Sequence, residues 1–104
     1  MSFFANDLMG ASIIAPSTRQ MSALLHSLAS ADNEHPDVSL GHESGWCISA
    51  FSSGLTVFEN VETGEGPMHM RGVAPERVLE LWSMLAAGDI SGLDGLAWTP
   101  GYGT

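Results

Sequence analysis

Apolar residues recur along this chain in two different rhythms. Met21, Leu24, Leu25 and Leu28 stand at i, i+3, i+4 and i+7, which places all four on one face of an α-helix. Just ahead of them, Ser17 and Gln20 have the spacing of a capping box. The Ser hydroxyl takes an orphan backbone amide and the Gln side chain reaches back to the cap. The pattern predicts a helix over about residues 18 to 31, with Arg19, Ser22 and Ser30 toward water. Pro36 bars the α conformation from the residue before it, so the helix ends ahead of the polar run 32 to 37. A second helix is predicted over 75 to 87. Pro75 suits a first helical position, Glu76 favours the positive end, and Val78, Leu79, Trp82, Leu85 and Ala86 form the buried stripe before Gly88.

Between the helices the rhythm shortens to two. Val38 to Leu40 reads as a short strand, and the runs 46 to 51 and 55 to 61 flank Ser52-Ser53-Gly54, which reads as a hairpin. Trp46, Ile48 and Ala50 share one face of the first run. In the second, Leu55, Val57 and Val61 share a face with Glu59, opposite Thr56, Phe58 and Asn60. The first of these two sets is expected to be the better buried. Residues 62 to 67 form a loop, and 68 to 73 an edge strand. The first fifteen residues read as an arm or a short strand over 11 to 15. The tail from 89 onward carries Gly92, Gly95, Pro100, Gly101 and Gly103, too many breakers for regular structure beyond one turn near Leu93. Leu96 and Trp98 are expected to plug it onto the body. The expected fold is therefore α+β: an antiparallel sheet of about four strands with two helices packed on one face, in a single domain over 16 to 104 preceded by the arm 1 to 15.

Composition narrows the function classes. The 104 residues are 44% hydrophobic and only 14% charged, a globular balance, and a chain of this length can bury a real core. Twelve acidic side chains face three basic ones, Arg19, Arg71 and Arg77, for a net charge of −9. That speaks against nucleic acid and anionic membrane surfaces as partners, since both demand clustered Lys and Arg. The lone Cys47 allows no internal disulfide, in keeping with a reducing cytoplasm, and its apolar neighbours predict an inert, packed thiol. The apolar N-terminal stretch has no basic residues and contains Asp7, which argues against a signal peptide, and it is too short to span a bilayer.

Few residues offer chemistry. His35-Pro36-Asp37 is shared with J-domain co-chaperones, but the strongly basic helix of those domains is missing, and a proline-set turn with a local Asp hydrogen bond explains the triplet. His35, His42 and His69, joined by Glu59, are the candidate metal ligands of an alternative reading as a metal-dependent enzyme, although their spacing matches no zinc signature. His26 is expected to pack at the border of its helix. No serine lies in a nucleophile elbow, and no glycine-rich phosphate cradle precedes a helix. Glu59 is expected to sit at the core edge or to pair with Arg71; a functional acid is the sharper alternative. The strongest signal is collective. Asp32, Glu34, Asp37, Glu43, Glu62 and Glu65 all fall in loops or at strand ends, where a summed negative field can steer a basic protein.

The stretch Val38-Ser39-Leu40 to Gly45-Trp46, the hairpin end Val57-Phe58-Glu59-Asn60, and the pattern Val78-Leu79-Glu80-Leu81-Trp82 with Leu85-Ala86-Ala87-Gly88 and Trp98 resemble the small α+β immunity proteins of bacterial polymorphic-toxin and contact-dependent inhibition systems. The resemblance covers about residues 16 to 100. It implies a cytoplasmic, non-enzymatic protein that blocks the active site of a cognate toxin and needs no cofactor. Such interfaces differ from pair to pair, so it assigns no contact residue. From charge, the expected contacts with a basic nuclease or deaminase toxin are Asp32, Glu34, Asp37, Glu43, Glu62 and Glu65, with Trp46 as an aromatic anchor. A homo-oligomeric structural subunit, paired through the strand 68 to 73, is the other alternative.

Overall fold

Seven short strands, hydrogen-bonded in the order β2-β1-β3-β4-β5-β6-β7, make one antiparallel sheet in a computed structural model that describes residues 2–34 and 36–103. The strands are β1 (Phe3–Asn6), β2 (Ser12–Ile14), β3 (Asp37–His42), β4 (Trp46–Phe51), β5 (Thr56–Asn60), β6 (Met68–Met70) and β7 (Thr99–Pro100). Three helices, α1 (Thr18–His26), α2 (Pro75–Ala86) and α3 (Ile90–Asp94), complete the α+β fold. The fold class is as expected, whereas strand and helix numbers exceed the four and two read from the sequence. The N-terminal segment is a hairpin whose first strand joins the sheet beside β3, and the tail supplies both α3 and β7.

The capping box forms as read. Gln20 N–H donates to Ser17 Oγ (3.1 Å) and Ser17 N–H to Gln20 Oε1 (2.9 Å). The four-residue apolar stripe of the first helical segment is buried throughout. The α-helix itself stops at His26, and residues Ser27–Ser30 tighten into a 3₁₀ turn. In α2 the fully buried positions are Val78, Leu81, Trp82 and Leu85; Leu81 takes the place that the periodicity gave to Leu79, which is half-buried.

Both long helices lie on one sheet face. Ala5, Leu40, Ile48 and Phe58 occupy one cross-strand row on that face, and all are 0% exposed beneath Trp82 and Leu85. Trp82 Nε1–H donates to the Ile48 carbonyl (3.2 Å), so the largest fully buried side chain is also hydrogen-bonded to the central strand. Phe58 stacks between Trp46 (centroids 4.5 Å apart) and Trp98 (5.1 Å), and Trp98 Nε1–H donates to the Leu93 carbonyl (2.7 Å). Trp98 and Leu96 are thus the plugs that fasten the tail.

Two expectations are corrected by this register. The helix-covered face of β5 is Thr56, Phe58 and Asn60, so Glu59 and Val57 point to the opposite face, and Val61 lies past the strand, 68% exposed. The stacking of Phe58 between two indoles outweighs the count of aliphatic residues on the other side. The strand 68 to 73 is not an edge. Met68–Met70 pairs with β5 on one side and β7 on the other, because the tail returns beside it. The hairpin is confirmed: Phe51 N–H donates to the Leu55 carbonyl (2.9 Å), and Gly54 holds φ +89°, which favours glycine.

Trp82→Ala is expected to lower the unfolding free energy by about 3–5 kcal/mol, the usual cost of emptying a buried aromatic site. Urea unfolding followed by circular dichroism measures it, and a loss under ~1 kcal/mol would contradict the packing described.

Candidate partner-binding site

Asn60 is polar, 4% exposed, and placed on the helix-covered face at the end of β5. Its side chain resolves that conflict by fastening two loops. Oδ1 accepts the backbone N–H groups of Glu62 (2.9 Å) and Thr63 (3.0 Å), and Nδ2 donates to the Ser44 carbonyl (3.2 Å). Backbone bonds from Val61 N to Gly45 O and from Asn60 N to Glu65 O, both 2.9 Å, add to the clamp. Gly45 holds φ +92°, and a Cβ there would stand 2.5 Å from Asn60 Oδ1, so the close approach requires glycine.

The clamp brings Glu43, Glu62 and Glu65 to one end of the sheet. Glu43 Oε1 accepts the Ser2 N–H (2.9 Å), and Glu65 Oε1 accepts the Thr63 hydroxyl (3.1 Å). Asp32, Glu34 and Asp37 are at the other end. Asp37 opens the six-residue β3 that Glu43 follows, a separation of about 20 Å at the usual strand rise. The six acidic residues therefore form two groups, because β3 runs the length of the sheet between them. Burial raises the Asp37 carboxyl above its ordinary value.

Trp46 is half-buried against Phe58 and belongs to the core, which corrects its reading as an aromatic anchor. The exposed apolar groups at the acidic end are Val61 (68%) and Tyr102 (54%). With Glu59, Gly64, Glu65 and Pro67 they line an open cleft of about 320 Å³. Glu59 Oε2 is buried with no hydrogen-bond partner among the described residues. The Tyr102 hydroxyl bonds the same carboxylate, and this contact raises its pKa above the ordinary phenol value. Arg71 does not pair with Glu59; its guanidinium donates to the Gly103 carbonyl. Two carboxylates, one with an unused buried oxygen, beside a tyrosine suit an ammonium or guanidinium group.

The histidines do not converge. His42 lies on the helix-covered face of β3, and its Nδ1 accepts the Ser44 N–H (3.1 Å), which places the ring proton on Nε2. His69 lies three strands away on β6, on the opposite face of the sheet, and its Nδ1 donates to the Gly101 carbonyl (2.9 Å). A sheet separates the two rings, so they cannot share an ion as the enzyme reading required. His35 falls outside the described residues. Among the described residues no group of three or more His, Cys, Asp and Glu is placed to hold a metal. His26 is exposed on α1. Cys47 lies directly across from Glu59. Burial is the main cause raising its thiol pKa, hydrogen bonding from Ser49 works against the rise, and the Glu59 charge adds to it.

The chain matches no protein-family model, no curated protein and no solved structure. Among the described residues no helix is long and apolar enough to cross a membrane.

Sequence reasoning weighed Glu59 but missed Asn60, Val61 and Tyr102. Asn60 left one signal, a polar residue in the same register as Thr56 and Phe58. Tyr102 left none, since only the returning tail places it.

Asn60→Ala is expected to cost about 2–3 kcal/mol, roughly one per lost hydrogen bond, and to speed amide exchange at Glu62 and Thr63. Unchanged exchange there would contradict the clamp. Native Cys47 is expected to react with an aromatic disulfide reagent at least ~tenfold more slowly than in denaturant, since burial both limits access to the thiol and raises its pKa.

Proposed function

We propose that this protein is a cytoplasmic, non-catalytic binding protein that neutralises a basic toxin domain of nuclease or deaminase type by covering its active site. The supporting observation is the clamped acidic end. The loops that carry its carboxylates are held in place before any partner arrives, so little backbone ordering entropy opposes docking. The cleft beside Glu59 and Glu65 receives an arginine or lysine side chain that would otherwise hold a phosphate, with Val61 and Tyr102 as the apolar contacts. Glu43 and Glu62 border it. Asp32, Glu34 and Asp37 act from the far end through the long-range field of a chain with net charge −9, raising the encounter rate rather than making contact.

The test is titration against the basic domain encoded by the neighbouring gene, with toxin activity and growth rescue as readouts. A stoichiometric inhibitory complex is expected. Glu62→Lys with Glu65→Lys should weaken it at least ~100-fold, chiefly by reversing charge at the contact, whereas Asp32→Asn with Glu34→Gln should slow association and leave dissociation unchanged. Raising salt should weaken binding as the field is screened. Failure to form a complex or to rescue growth refutes the proposal.

A further inference from the structure

The sheet face opposite the helices has a composition unlike the rest of the molecule. Across β2, β1, β3 and β4 its side chains form two parallel rows. One row is Ile14, Phe4, Gly41 and Cys47; the other is Ser12, Asn6, Ser39 and Ser49. The first is apolar, with Ile14 78% and Phe4 37% exposed, and the Phe4 ring lies flat over Gly41, where a Cβ would come within 2.6 Å of it. The second is linked side to side: Ser12 Oγ donates to Asn6 Oδ1 (2.7 Å), and Asn6 Nδ2 to Ser39 Oγ (3.3 Å). Asp37, at one corner, is the single charged side chain among these four strands, in a chain of net charge −9. On the far half of the same face the tail covers β5 and β6, where Gly103 packs against Leu55 and His69. No helix covers the near half among the described residues.

We infer that this near half is a self-association surface and that its occupant is a second copy of the chain, docked sheet to sheet. Charge selects the occupant. A cationic partner finds only the Asp37 carboxylate at one corner and Glu59 bordering Cys47 at the far edge, while two anionic copies can meet only where most of their charges point away from the contact. Symmetry fits as well. A two-fold axis parallel to the strands lays the apolar row on the partner's apolar row and the hydroxyl row on its hydroxyl row, which is the self-complementarity an isologous interface needs. Four strands at about 4.8 Å spacing and about 17 Å length project to roughly 300–400 Å². Two such faces together bury roughly 600–800 Å², below the standard interface size, so the dimer is weak and transient, with a dissociation constant on the order of hundreds of micromolar.

Sedimentation equilibrium on the full chain, from about 5 to 500 μM and at low and about 0.5 M NaCl, tests this. A monomer–dimer equilibrium that tightens with salt is expected, the opposite of the salt response of toxin docking. Ile14→Lys and Ser49→Arg should each raise the dissociation constant at least ~tenfold. Ile14 is largely exposed, so its variant keeps the fold, and circular dichroism checks both. Glu62→Lys should leave dimerisation intact, which separates this inference from the acidic-end contact. A monomer under all conditions overturns it, as does a dimer indifferent to Ser49→Arg, the signature of edge pairing through β2.

Discussion

Burial of the Trp82 indole against the central strand organises the molecule. Its ring fills the space over Ile48, and its N–H satisfies the Ile48 carbonyl. An apolar residue of equal volume would pack equally well but could not set where along β4 the helix comes to rest. With α2 located, α1 follows through the packed stripe of Met21, Leu24 and Leu25, and one face of the sheet is sealed. Every other surface property derives from that one-sidedness.

The Trp46–Phe58–Trp98 stack does the corresponding work at the tail. Without it, a segment with glycine at 92, 95, 101 and 103 gains too little from contact to offset its ordering entropy. Once Trp98 is stacked, β7 pairs with β6, Tyr102 reaches Glu59, and Gly103 covers His69. The cleft at the acidic end therefore depends on an aromatic contact made on the other face of the sheet. Coupling of this kind is how a short, irregular tail contributes a side chain to a rigid site.

Electrostatics divides the surface into regions with different uses. The end held by Asn60 concentrates carboxylates, the opposite sheet end carries a second acidic group, and the open face over β1 to β4 is almost neutral. The proposals for docking and for self-association rest on different regions, and screening by salt affects them in opposite directions. The two regions adjoin on the same sheet face, because Glu59 of the cleft stands directly across from Cys47 at the end of the apolar row.

Local periodicity was enough to read α1 with its capping box, α2, and the hairpin of β4 and β5, because each depends on contacts within a few residues of chain. It also placed Trp98 as a plug, since a large indole in a breaker-rich segment needs cover. The number of strands was not legible. Strands β1, β2, β6 and β7 are four residues or shorter; β1 and β7 form beside strands distant in the chain, whereas β2 forms in a local hairpin with β1. The face assignment of β5 was likewise a tertiary decision: alternation gives two sets of side chains, and only the indoles above and below Phe58 determine which set is covered. Composition revealed a surplus of acid, a property of the whole chain that needs no coordinates. Its division between two ends of β3, and the union of Glu59 with Tyr102 from 43 residues away, came from three-dimensional packing, because distances across a sheet are set by pairing and not by sequence separation.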